Sequence, residues 1–203
     1  MSAPVSAPAP AARTVTPAPA PARRLNVGCG HDIREGWVNL DLAALPGVDV
    51  VHNLDAFPWP FDDGAFDEIE MINVLEHLPD PIAAVEELYR ISAPDARVTI
   101  RVPYYNAPDA YTDPTHKAFF TERSFDFFDP TTRAGKERAY YSRARFKIER
   151  MFFYTRVVPG LPYLRITLPV IKQVMVALAH RIGGVIWVEE VNLRALKPWP
   201  REG

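Results

Sequence analysis

A single cysteine, Cys29, leaves nothing to form an internal disulfide, so an oxidising compartment has no support and a reducing, cytoplasmic setting is the default. Charge of one sign is also missing. The chain holds 23 Lys and Arg against 25 Asp and Glu, a formal net of −2, which excludes a global field drawing it onto nucleic acid or anionic lipid. Uncharged apolar runs are short: Arg165, Lys172, Arg181 and Glu189 interrupt the most hydrophobic region, short of the roughly eighteen residues that span a bilayer. Glycine is sparse as well, with 10 in the chain, and no Gly-Lys-Ser/Thr follows any of them, which excludes a P-loop.

What is present is one domain's worth of length, 203 residues, 48% apolar, enough for a sizeable core. Proline is abundant at 21 residues, and six fall at positions 4, 8, 10, 17, 19 and 21. Residues 1–23 therefore read as a disordered or polyproline-like tail, with no apolar h-region, and residues 24–203 as the folded domain. Residues 1–24 hold three arginines and no acid, so the remainder carries a net of −5.

Short apolar or alternating runs predict strands at Leu25–Val27, Trp37–Leu42, Val48–Leu54, Phe66–Val74, Arg97–Tyr104, Phe146–Val158 and Val191–Leu196. Asp80 followed by Pro81 signals a helix start, with Ile82, Val85, Leu88 and Tyr89 on one face up to about Ile91 and Pro94 beyond its end. A later amphipathic helix is predicted over 168–182. Leu168, Ile171, Val174, Met175, Leu178 and Ile182 form its apolar face, expected to pack on the sheet, with a membrane surface as the less favoured use. Strand, helix and strand in this order predict an α/β fold on an open, twisted, mostly parallel seven-stranded sheet, with a late helical insertion.

Gly28-Cys29-Gly30 closes the first strand, where missing side chains let backbone amides approach a ligand. A dinucleotide fingerprint needs a further glycine at position 33, which is Ile33. Thirteen residues after Gly28, Asp41 ends the second strand, where a carboxylate can accept hydrogen bonds from both hydroxyls of a ribose. A solvated strand-end acid is the competing reading on spacing alone.

Leu25-Asn26-Val27-Gly28-Cys29-Gly30, Asn39-Leu40-Asp41, Asn53-Leu54-Asp55, Pro60-Phe61-Asp62-Asp63-Gly64-Ala65-Phe66-Asp67 and Asn73-Val74-Leu75-Glu76-His77-Leu78 succeed one another. In that order they resemble the class I, Rossmann-like S-adenosylmethionine-dependent methyltransferases, in particular small type-11-like members, over about residues 24–128. The resemblance implies S-adenosyl-L-methionine as cofactor. Gly28, Cys29 and Gly30 would line its methionine end, Asp41 would hold the ribose, Leu42, Asn53 and Leu54 would border the adenine, and Asn73 and Val74 would sit beside the sulfonium. Glu76 and His77 belong to the same loop. Two features depart from the family: a first crossover too short for a full helix, and Pro94-Asp95-Ala96 where a Pro-Gly-Gly turn is usual.

A sulfonium methyl is already activated, so positioning and water exclusion are the main tasks, and an oxygen acceptor adds the need for a base. The candidates are His116, His77 and Tyr104, with Asp113 nearby. Asp113-Pro114-Thr115-His116-Lys117 should overhang the methyl group, although His116 could equally bond a loop carbonyl and order a lid. No metal ligand set is read from the sequence. Cys29 reads as a space-filling residue. Phe119, Phe120, Phe125, Phe127 and Phe128 read as core before substrate wall. Residues 133–150 carry a local net of +5, centred on Arg143 and Arg145, which reads as a solvated loop before a grip on an anionic substrate.

The function expected is methyl transfer to a small or conjugated acceptor, a glycoconjugate included. Nucleic acid is not expected, and the oligomeric state is not readable. The alternatives are a non-catalytic cofactor-binding module that partners another enzyme, and a nucleotide-sugar or NAD-type enzyme on the same sheet.

Overall fold

The computed structural model describes residues 23–156 and 162–198, so all of the expected 1–23 tail but Arg23, and Val158, lie outside the described residues. Eight strands form one sheet: β1 (Arg24–Val27), β2 (Val38–Asp41), β3 (Val50–Val51), β4 (Phe66–Ile72), β5 (Ser92–Pro103), β6 (Phe146–Thr155), β7 (Leu164–Ile166) and β8 (Val188–Ala195). Their order is β3-β2-β1-β4-β5-β8-β6-β7. The first five pair in parallel, and β8, β6 and β7 add antiparallel. The α/β sheet thus matches expectation, with eight strands instead of seven. The extra strand, β7, is three residues long with Leu164 and Arg165 exposed, too short and too irregular to show alternation.

The helix α1 (Pro81–Ile91) forms as its sequence dictates. The Asp80 carboxylate accepts from the Ala83 amide at 2.9 Å, Pro81 occupies the first turn, and Ala84, Val85, Leu88 and Ile91 bury against the sheet. Ser92 ends it, donating its hydroxyl back to the Leu88 carbonyl at 2.6 Å, and the chain enters β5 directly, five residues before the predicted strand start. Asp95 takes φ +58° within β5, and Arg194 holds its carboxylate at 2.9 Å. This is how the chain manages without the usual glycine turn. β8 likewise starts at Val188, three residues early, because Val188–Glu190 pair with both β5 and β6.

Between β1 and β2 the chain runs from Gly28 to Trp37 without a helix, and the strands are still parallel. Two buried asparagines stand in for the missing packing. Asn26 donates to the Asp32 carbonyl at 2.7 Å, and Asn39 accepts from the Arg34 amide at 3.0 Å and donates to Asp49. The reduced crossover expected from the sequence is therefore a hydrogen-bonded loop.

After two short helices, α2 (Pro108–Thr112) and α3 (Arg133–Glu137), the later helix, α4 (Pro169–Ala179), is shorter than predicted and turns most of its apolar face outward. Leu168, Ile171, Val174 and Leu178, the face expected to lie on the sheet, are exposed. Instead Met175 and Val176 contact a small cluster of Tyr104, Phe153, Ile166, Ala179 and Ile186, and Lys172 reaches the Met151 carbonyl. The sheet side of this helix is met through the stem of a lysine, which helical periodicity cannot distinguish from an apolar contact.

Candidate active site

At the carboxyl edge of β1, Gly28 turns at φ +66°. A Cβ there would come within 2.3 Å of Val74, so β1 and the end of β4 approach to a distance only glycine permits. The Cys29 amide donates to the Leu40 carbonyl at 3.0 Å. The Asp41 carboxylate accepts from the Gly30 amide at 2.7 Å with one oxygen and from the Ala43 amide at 2.9 Å with the other. It is therefore fixed between the glycine turn and the loop after β2, and each oxygen keeps a lone pair for a ligand. Cys29 is buried, and burial first, with Asp41 next, pushes its thiol up, away from nucleophilic use.

A cavity of about 580 Å³ opens along this edge, and Gly28, Asp41, Leu42, Asn53, Leu54, Asn73 and Val74 all line it. Seven of the nine cofactor residues proposed from the sequence are thus brought to one cleft, and Gly30 and Cys29 stand directly behind it. The donor set fits a nucleoside carrying a sulfonium. It combines a fixed carboxylate with exposed Leu42, buried Leu54 and uncharged Asn73 and Val74. Asn73 adopts φ +54°, an unusual conformation for a residue with a side chain, where the cleft meets a second chamber.

That second cavity, about 460 Å³, shares Asn73 and His77 with the first and is lined also by Glu76, His116, Arg101 and Asp109. Glu76 lies on the 3-10 turn Leu75–His77 that follows β4. It is 1% exposed, and neither carboxylate oxygen has a hydrogen-bond partner among the described residues. Burial first, then the charge of Asp113, push its carboxyl up to about 7. The His77 and His116 rings meet edge to face, with centroids 4.7 Å apart. Burial and the neighbouring His116 hold His77 below the ordinary imidazole value.

The partners of both rings fix their tautomers. His77 Nδ1 lies 2.8 Å from the Thr115 hydroxyl, which itself donates to Asp113 at 2.6 Å, so the ring must be the donor. His116 Nδ1 lies 3.0 Å from the Ala110 carbonyl, again an acceptor. In the neutral form of each ring the remaining Nε2 therefore carries a lone pair. The loop-carbonyl bond that the sequence offered as an alternative for His116 exists, and it leaves the other nitrogen available.

Tyr104 is different. It is fully buried in the small cluster beside α4, its hydroxyl donates to Glu122 at 2.6 Å, and it lines neither cavity. Burial first and Glu122 second drive its hydroxyl far above the ordinary tyrosine range. The expectation of a catalytic Tyr104 is corrected accordingly. The basic stretch is occupied in part: Arg145 donates to the Ser142, Ala144 and Ala139 carbonyls and Lys147 pairs with buried Asp129, whereas Arg143 is exposed. Phe120, Phe125 and Phe128 are core, whereas Phe119 is exposed and stacks on Tyr111.

Sequence reasoning missed Arg101, Asp109, Tyr154 and Tyr163 in the second chamber. Arg101 bonds Glu190, and the Tyr163 hydroxyl donates to Asp109 at 2.5 Å. Arg101 follows the polar phase of β5, a signal open to sequence reading. Tyr154 and Tyr163 reach the site only through the antiparallel return of β6 and β7, which no local pattern reveals.

Fold and cleft together define a class I, Rossmann-like site that holds a nucleoside at the carboxyl edge of parallel strands. A family model described as a methyltransferase domain matches residues 6–147, and the chain belongs to that family, whose cofactor is S-adenosyl-L-methionine. A SAM-dependent methyltransferase from Archaeoglobus fulgidus is 18% identical, with 86% of each chain covered and a TM-score of 0.55. A possible histamine N-methyltransferase from Thermotoga maritima is 14% identical, covering 86% of this chain and 82% of its own, with a TM-score of 0.55. At these identities the likeness concerns the fold. The chloroplastic tocopherol O-methyltransferase of Arabidopsis thaliana is 44% identical over 46 residues, 23% of this chain, and the match spans only 13% of that protein.

Proposed function

We propose that the chain transfers the methyl group of S-adenosylmethionine to a hydroxyl oxygen of a small, polar acceptor, a free molecule or the sugar of a conjugate. The observation that carries this reading is the placement of Gly28, Asp41, Leu42, Asn53, Leu54, Asn73 and Val74 around one cleft that adjoins a chamber lined by two imidazoles. The cofactor, when bound, supplies an electrophilic methyl group that needs no further activation. Asp41 grips the ribose hydroxyls, Gly28, Cys29 and Gly30 admit the methionine portion to backbone amides, Leu42, Asn53 and Leu54 flank the adenine, and Asn73 with Val74 aims the sulfonium at the second chamber. His116, and His77 beside it, supply lone pairs that help the acceptor lose its proton. An oxygen acceptor accords with the O-methyltransferase name of the partial relative. The charged lining, Arg101, Asp109 and Glu76, favours a polar molecule over a greasy one.

Calorimetric titration with S-adenosylhomocysteine tests the cofactor half. Asp41→Ala is expected to weaken binding about 30-fold or more, the value of charged hydrogen bonds to two hydroxyls. Unaltered affinity would refute the assignment of Asp41. His116→Ala is expected to lower turnover while that affinity stays within twofold. Equal turnover would remove His116 from the reaction.

A further inference from the structure

We infer that Glu76, His77 and His116 form a binding site for a first-row divalent cation, open toward the acceptor chamber. One ligand atom from each of the three residues lies within 4.8 Å of the other two. A cation with bonds of about 2.0–2.2 Å spaces its ligands roughly 3–3.5 Å apart, so closing the cluster takes a shift of about 1.8 Å at most. Side-chain rotation supplies that.

Three independent features of the cluster point to a ligand. Glu76 is a carboxylate 1% exposed whose two oxygens are both unpartnered among the described residues, a costly arrangement that a bound cation would relieve. Each imidazole donates Nδ1–H to an acceptor, His77 to Thr115 and His116 to the Ala110 carbonyl, and so presents Nε2 as a lone pair. Metal-binding histidines are oriented in this way, by an outer acceptor on the nitrogen that does not coordinate. For His77 the outer partner is itself braced, since the Thr115 hydroxyl donates to Asp113 at 2.6 Å. Finally, the three residues face a cavity of about 460 Å³, which leaves coordination positions for water or an acceptor oxygen. Two imidazole nitrogens and one carboxylate, with positions left open, suit zinc, manganese or iron(II), and not calcium.

The use of this site in methyl transfer rests on the function proposed above, whereas cation binding does not. A hydroxyl on the cation becomes more acidic and releases its proton to solvent through the open chamber. Its oxygen then forms the bond to carbon as the bond from carbon to sulfur breaks, leaving a neutral thioether. The imidazoles contribute through the cation, and the acceptor class narrows to molecules whose hydroxyl, or adjacent pair of hydroxyls, can reach an open coordination position.

The test uses the full, tag-free chain stripped with a chelator and titrated with cobalt(II) chloride, followed by visible ligand-field absorption, and with zinc chloride by calorimetry. One equivalent per chain is expected, and cobalt should be displaced by zinc. Glu76→Gln and His116→Ala should each weaken binding at least 10-fold, and Asp113→Asn about 10-fold through Thr115 and His77. His52→Ala should change nothing. The isosteric Glu76→Gln is checked for folding by circular dichroism and by S-adenosylhomocysteine affinity, both expected to match the parent. No bound cobalt, or cobalt binding indifferent to Glu76→Gln and His116→Ala, would overturn the site. Cation binding in a chain that does not bind S-adenosylhomocysteine would leave the site standing and refute the methyl-transfer reading.

Discussion

Along the edge formed by β1, β2 and β4, the residues assigned to the cofactor lie between Gly28 and Val74, and the contacts that shape their part of the cleft are backbone amides, glycine turns and one carboxylate. At the opposite end of the sheet, β6, β7, β8 and α4 assemble from antiparallel pairings, with buried Glu189, Tyr104 bonded to Glu122, and a helix whose apolar residues point outward. In the first region the Gly28 turn has no room for a side chain, because a Cβ there would meet Val74. The second carries polar groups under a loosely packed cover, and tolerance is expected to differ between the two.

The largest effect is expected where α1 seals the parallel half. Leu88 is fully buried in the main core, and Leu88→Ala should cost about 2–5 kcal/mol in urea unfolding, through lost transfer energy and the cavity left behind. A cost below about 1 kcal/mol would show that α1 does not seal the core. Gly28→Ala follows at about 2–4 kcal/mol. The new Cβ carries both the strain of φ +66° and a clash with Val74, each worth about 1–3 kcal/mol. Because Val74 lines the cleft, affinity for S-adenosylhomocysteine should fall in the same variant. Loss of stability with no loss of affinity would separate the glycine turn from the cofactor.

The same contrast explains how much was legible from sequence. The cleft could be read because its parts are local: a glycine turn, an acid after the next strand, then the Asn73 to Leu78 loop, each with its own signature. α1 was readable from Asp80, Pro81 and a helical stripe. The chamber was only half readable. His77 and His116 stood out as residue types, yet the burial of Glu76, and the bonds that fix both ring tautomers, depend on the turn after β4 meeting the loop of residues 113–116. α4 misled because periodicity reports that one face is apolar and says nothing about where that face points. Of the expected face Met175 alone packs inward, beside Val176 and Lys172, so tertiary packing overrode the rest of the pattern. Tyr104 misled for the opposite reason: a polar tip in a strand looks available until Glu122 is found bonded to it.

A smaller effect sharpens the view of the second region through pH. Glu189 is fully buried and unpartnered among the described residues, and burial first, with Glu122 second, pushes its carboxyl up to about 8 from an ordinary value of 4.5. Between those values the folded chain holds a proton that the unfolded chain has released. Stability from this group is therefore complete below about pH 4.5 and declines as pH rises to about 8. Glu189→Gln should remove that decline, leaving the variant about 1–3 kcal/mol more stable relative to its parent at pH 8.5 than at pH 5, by urea unfolding at both. Parallel pH profiles would mean that Glu189 is solvated or paired in solution.

The smallest effect is expected on α4, an 11-residue helix of the same length as α1. Val174 is 52% exposed on its outward apolar face, so the near-isosteric Val174→Thr exchanges one methyl for a hydroxyl in water and should change stability by no more than about 0.5 kcal/mol. Unfolding at two protein concentrations about tenfold apart makes the measurement decisive. A small change independent of concentration confirms that the face is uncovered and that Leu88 and Val174 mark the two extremes of the molecule. A loss above 1 kcal/mol that grows with protein concentration would mean that a second copy covers this face. The loosely packed cover would then be half of an interface, and the contrast between the two ends of the sheet would hold only for the isolated chain.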